Sequence, residues 1–230
     1  MAGDTLAALQ CALADIYDLP ATPDVANFLL TDRSQIAYDC ARPSDEQLIV
    51  AEQGDTLSLG LFIDARVLAR LEHHDPFDAL DQHNIADYLT AAEGVSHFVY
   101  VAWNAGFDRP VTLLELELQA EVDKYVLAAW LLREQCAGRF PRELHRVLFE
   151  RARIDPSAAE GRTALYQLAS EYAQRFCRRV ASGFMRGRRG VTRELLAELR
   201  RFYRWSSART NKRFTVAVDL CGCPAVCAAA

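Results

Sequence analysis

The chain has 230 residues, 51% of them apolar and 25% charged, which is enough to bury a core and too apolar for a disordered polypeptide. Its formal charge is only −5, yet the charges are sorted: residues 1–136 carry 23 Asp and Glu against 7 Lys and Arg, and residues 137–213 carry 19 Lys and Arg against 7 Asp and Glu. Its apolar runs are far shorter than the roughly 20 residues that span a bilayer, so no membrane-spanning helix and no membrane partner are expected.

The amino terminus, MAGDTLAALQ, lacks a basic segment, and Asp4 and Asp15 flank its apolar stretch. It does not read as a secretory signal, and a cytoplasmic location is expected. Residues 4–18 read as a helix, with Leu6, Leu9, Leu13 and Ile16 on one stripe and Pro20 beyond its end. A short helix is expected after Thr22, Pro23 and Asp24. The β-rich runs Gln47 to Gln53 and Leu57 to Ile63 are joined by Gly54, Asp55 and Thr56, a loop of hairpin length. Residues 65–72 read as a helix stopped by His73, His74, Asp75 and Pro76, because the proline ring disfavours helical geometry before it. Asn84 caps a helix to about Glu93, and His97 to Trp103 (HFVYVAW), aromatic and β-branched, favours a strand.

Two signals conflict after Val111. Thr112 with Glu115 matches a capping box and points to a helix. The alternation of Leu114, Leu116 and Leu118 with Glu115 and Glu117 fits period two. The alternation favours a strand over 111–118, followed by a helix over 120–136. Beyond it everything reads as helical. Pro141 opens one helix to about Ala152, and Ser157 with Glu160 opens a long one to about Gly183. A loop rich in Gly and Arg then leads to a last helix over 192–205. The expected fold class is α+β: a small, mainly antiparallel sheet with helices in the first ~120 residues, then a helical C-terminal half. The acidic region, 1–136, and the basic helical region, 137–213, are expected to pack as one compact unit, followed by a flexible tail over 214–230.

On the last helix Leu195, Leu196, Leu199, Phe202 and Tyr203 share one face, and Arg193, Arg200, Arg201 and Arg204 form a ridge on another, with Trp205 beside it. Such a ridge either docks on the acidic half or binds an acidic partner or a phosphate backbone, Trp205 stacking on a base. On the expected acidic strand Glu115 and Glu117 would lie roughly 7 Å apart on one face, a spacing for acid/base or cation chemistry, with His97 as a third candidate catalytic group. Glu93 and His97 have the i, i+4 spacing of helical metal ligands, but Gly94 weakens a helix there and a packed or surface histidine is favoured. His73, His74, Asp75 and His83 lack a standard ligand spacing. The cysteines at 11, 40, 136 and 177 sit among apolar residues and read as buried reduced thiols, and Cys221, Cys223 and Cys227 crowd the tail. No nucleotide-binding glycine loop, HExxH site or GxSxG elbow occurs, so no cofactor and no resident metal are assigned.

The most economical functional expectation is a non-enzymatic adaptor or regulatory protein that holds an unknown protein partner through its charge asymmetry. The alternatives are RNA or DNA binding through the arginine ridge, and a metal-assisted hydrolase built on the acidic segment.

Overall fold

The computed structural model describes residues 2–36, 43–53, 56–137, 143–149, 160–186 and 192–205. Helix α1 (Ala2–Tyr17) forms on the stripe of Leu6, Leu9, Leu13 and Ile16, all buried, each side chain contributing about 1.5–3 kcal/mol of burial. It stops at Asp18, whose φ of 53° is left-handed, and Leu19 N–H reaches back to the Ala14 carbonyl to close the last turn. The Gln10 side chain donates to Thr22 Oγ1 and to the Pro23 carbonyl and accepts from Val25 N–H, pinning the following loop to the helix. The helical turn that follows is a 3-10 turn, Val25–Phe28, with Asp24 as its cap.

The sheet has three strands in the order β1-β3-β2: β1 (Leu29–Leu30), β2 (Glu46–Gln53) and β3 (Thr56–Ile63). β2 and β3 form the antiparallel hairpin that the sequence indicates, in register from Glu46 opposite Ile63 to Gln53 opposite Thr56. Its Gly54 and Asp55 lie outside the described residues. β1 is short and parallel to β3. Asp64 caps α2 (Ala65–His73) by accepting from Arg66 N–H.

Helices replace the two strands expected next. His97 to Trp103 lies in the second half of α3 (Ile85–Ala105). This segment is buried along most of its length, and an all-round apolar helix cannot be told from a buried strand by composition, since β propensity largely reports how a side chain packs. Gly94 does not break α3: a Cβ there would come within 3.0 Å of Leu61 Cδ1 and 3.2 Å of Glu46 Oε2, so the glycine lets the helix approach the sheet. Residues 111–118 are likewise not a strand. They lead into and begin α4 (Leu113–Gln135), where the capping box is formed in both directions between Thr112 and Glu115. The period-two pattern failed because Glu117, Gln119 and Asp123 point inward, so the apolar and polar positions do not mark the two faces of this helix.

The C-terminal half is α5 (Leu144–Phe149), α6 (Glu160–Arg186) and α7 (Arg193–Tyr203). Pro141 and Ser157 lie outside the described residues. α6 packs on α4 and α7 packs on α1, and side chains of the acidic and basic regions share one apolar cluster. Cys177 is buried, whereas Cys11 and Cys136 are exposed, contrary to expectation: Cys11 lies off the buried stripe of α1, and Cys136 caps the end of α4. Cys40 and the cysteines of the tail lie outside the described residues. Among the described residues no helix is long and apolar enough to cross a membrane.

The arginine ridge is used partly within the molecule. Arg200 Nε donates to the Ile16 carbonyl at 2.9 Å and its Nη2 to that of Asp15 at 3.2 Å, while Arg204 Nη2 donates to the Asp18 carbonyl at 3.0 Å. Asp15 and Ile16 lie in the last turn of α1 and Asp18 directly follows it, where carbonyls lack helical partners and the helix dipole favours positive charge. The double substitution Arg200→Ala/Arg204→Ala should therefore cost about 1–2 kcal/mol in urea denaturation. An unchanged midpoint would show that these bonds do not anchor α7.

Candidate metal centre

The α3–α4 interface gathers the titratable side chains. Glu93 and His97 are one turn apart on α3, and Glu117, Glu121 and Lys124 follow at i, i+4 and i+7 on α4, so each set lies along one helix face. Glu46, at the start of β2, enters beside Gly94. His97 lies between two carboxylates, with Nδ1 at 3.6 Å from Glu46 Oε2 and Nε2 at 3.8 Å from Glu117 Oε2. Both distances exceed a hydrogen bond. Glu46 Oε2 and His97 Nε2 are fully buried atoms without a hydrogen-bond partner, in a histidine side chain only 5% exposed. Lys124 Nζ lies 2.8 Å from Glu93 Oε2 and 2.8 Å from Glu121 Oε1.

The charges do not balance. Four glutamates face one imidazole and one ammonium. In a low-dielectric interior such a surplus is offset by bound protons or by a cation. Burial, reinforced by Glu93 and Glu46 and only partly offset by His97, pushes the Glu117 carboxyl up to about 8. Burial would favour a neutral His97, but Glu46 and Glu117 outweigh it and push the imidazole up to about 9. Burial also opposes ionisation of Glu93, yet the Lys124 ammonium, together with His97, holds this carboxyl below its ordinary value. Without another cation, this cluster holds protons at higher pH than its groups would in water.

Ligand atoms of Glu93, His97 and Glu117 all lie within 4.8 Å of one another, and theirs is the group of this kind among the described residues. Two ligands at about 2.0–2.2 Å from one ion can be no more than about 4.4 Å apart, so side-chain torsions must draw the more distant of these atoms inward. One imidazole with two or three carboxylates is a borderline to hard donor set suited to Mn²⁺, Fe²⁺ or Zn²⁺. The orphaned His97 Nε2 fits an ion: it faces carboxylates at a separation too long for a hydrogen bond and short enough to share a metal.

A second buried network adjoins the first. Asp123 accepts from Ser96 Oγ at 2.6 Å, from Gln119 Nε2 at 2.7 Å and from the Tyr17 hydroxyl. Gln119 Nε2 also donates to the Tyr17 oxygen at 3.2 Å, and Tyr17 stacks on Tyr203 with ring centroids 4.1 Å apart. Three helices of the acidic region and α7 are thereby joined around one carboxylate.

Of the candidate catalytic residues, His97 and Glu117 come together, while Glu115 is spent on the α4 cap. Glu115 and Glu117 do not share the face that a strand would have given them. The Glu93–His97 pairing discounted on account of Gly94 is present on a continuous α3. Glu46 and Lys124 carry no spacing signal, although Lys124 is one of only two lysines in a chain whose basic charge is otherwise arginine. Of the ridge, Arg193, Arg201 and Arg204 are exposed, as is Trp205, while Arg200 is half-buried, and both Arg200 and Arg204 donate to carbonyls at the end of α1. Compared with known proteins, the chain matches no protein-family model, no curated protein and no solved structure.

Proposed function

We propose that the chain binds a divalent transition metal through Glu93, His97 and Glu117, with Glu46 as a supporting carboxylate on the other ring nitrogen of His97. The observation that carries this reading is the buried, unpartnered Nε2 of His97 set among carboxylates that outnumber the cations around them. A carboxylate behind a metal-bound histidine is the usual means of orienting the ring and raising its basicity, and Glu46 occupies that position. Three protein ligands leave coordination positions free, which is the arrangement of catalytic rather than closed structural sites. When bound, such an ion polarises an acyl or phosphoryl oxygen and lowers the pKa of a coordinated water, the chemistry of metal-assisted hydrolysis.

Titration calorimetry of chelator-treated protein with Mn²⁺ and Zn²⁺ tests it. One ion per chain is expected, and His97→Ala and Glu117→Gln should each lose more than the roughly 10–100-fold in affinity that loss of a supporting partner costs. Absence of binding to the unmodified chain, or binding by both variants as tight as that of the unmodified chain, rejects the metal centre. The adaptor and nucleic-acid readings rest on less: of the ridge they retain Arg193, Arg201 and Trp205, since Arg200 and Arg204 serve the α1 terminus.

A further inference from the structure

Lys124 stands where an incoming ion must compete with it. Its ammonium bridges Glu93 and Glu121, the two most exposed acids of the cluster at 28% and 24% of their side-chain surface, while His97 and Glu117 lie deeper at 5% and 11%. Glu93 is the member of the candidate triad that Lys124 holds, whereas Glu121 is outside that triad. A carboxylate already accepting from an ammonium is a poor ligand, and a metal bound to it would sit within a few ångströms of a second positive charge. Glu121 offers the ammonium a place to remain: it lies one turn back on the same helix, already at hydrogen-bond distance, so releasing Glu93 costs one of two ionic bonds. The residue type suits the task. Lysine is a compact charge on a flexible stem with independent donors, whereas the planar arginine fork used elsewhere in this chain would grip both carboxylates together.

We infer that Lys124 is a tethered cation that holds Glu93 in the metal-free protein and passes wholly to Glu121 when a divalent ion takes Glu93, so that it sets the affinity of the site. This rests on the proposed metal centre and adds an internal competitor to it. Two substitutions separate competition from a general field effect. Lys124→Met removes the competitor and should tighten Zn²⁺ binding by about tenfold or more, the scale of one charge-assisted hydrogen bond. Lys124→Arg keeps the charge but strengthens the hold on Glu93 and should weaken binding several-fold.

If Lys124→Arg binds Zn²⁺ like the unmodified protein while Lys124→Met tightens, the lysine acts only through its charge and the exchange is wrong. If metal binds but Lys124→Met leaves affinity unchanged or lowers it, Lys124 is not a competitor, although the metal centre stands. If neither the unmodified protein nor Lys124→Met binds metal, both readings fail. Should Lys124→Met not fold, the unmodified chain supplies a measurement, since selective lysine labelling gives NMR signals from Lys124 and Lys212 alone. One of the two should shift in proportion to bound Zn²⁺, and two unmoved signals at saturation would overturn the exchange.

Discussion

Asp123→Ala is expected to destabilise the protein by about 3–5 kcal/mol, the largest effect of any single substitution considered. The carboxylate is almost entirely buried and collects hydrogen bonds from Tyr17, Ser96 and Gln119. Alanine leaves these donors without an acceptor, at about 1–3 kcal/mol for each buried group left unsatisfied, although Tyr17 and Gln119 retain each other. The cost extends beyond the immediate contacts, because Tyr17 stacks on Tyr203 and so ties α1 and α4 to α7. Asp123→Asn should lose less, since one acceptor oxygen survives while its amide group meets another donor. Urea denaturation checks the order. A loss below about 1 kcal/mol for Asp123→Ala would mean that water or rearrangement satisfies the donors.

Chelator-treated protein should lose stability steadily as pH rises through the neutral range. His97, ordinarily 6.5, is pushed up to about 9, so between these values the native state holds a proton that the unfolded chain has released. Glu117, ordinarily 4.5 and pushed up to about 8 chiefly by burial, does the same across its own window. Asp123, ordinarily 3.8 and raised by burial to about 6 against the pull of its three donors, adds a third contribution at lower pH. In each case the native state binds more protons than the unfolded chain, and the linkage relation then makes stability fall with increasing pH. Asp64 has the opposite sign: hydrogen bonds from Arg66 hold its carboxyl below the ordinary 3.8, so its contribution is present above that value and lost in acid. Maximum stability is expected between about pH 4 and 5, and the decline should continue above pH 9, where burial also holds the Cys177 thiol and the buried tyrosines above their ordinary values. A free energy of unfolding that stays flat or rises from pH 5 to 9 would contradict the assignment of protons to this cluster.

The parts of the fold that the sequence displays are those where one rule acts alone. The α1 stripe, the two runs of the hairpin and the amphipathic α7 each have a single buried face, and the structure forms each within a residue or two of its expected span. The second half of α3 and the first turns of α4 were not legible as helix, for two different reasons. α3 is enclosed by α1, α2, α4 and the sheet, so its apolar residues lack the one-sided period that marks a surface helix. α4 turns Glu117, Gln119 and Asp123 inward, which scrambles the polar pattern where the candidate site lies. The Thr112–Glu115 capping box was the more reliable signal because its hydrogen bonds are local, whereas alternation over eight residues is only a statement about which side is buried. Gly94 misled in the same way: its cost to an isolated helix was visible, but its close approach to Leu61 and Glu46 exists only in the assembled fold.

Anomalous diffraction from crystals of the full chain grown with Mn²⁺ or Zn²⁺ would test the metal centre most directly. The expected result is one ion in contact with Glu93, His97 and Glu117, with Lys124 on Glu121. Crystals saturated with either metal that show no ion among these three side chains, or an ion bound instead at the turn of His73 and His74, would contradict it.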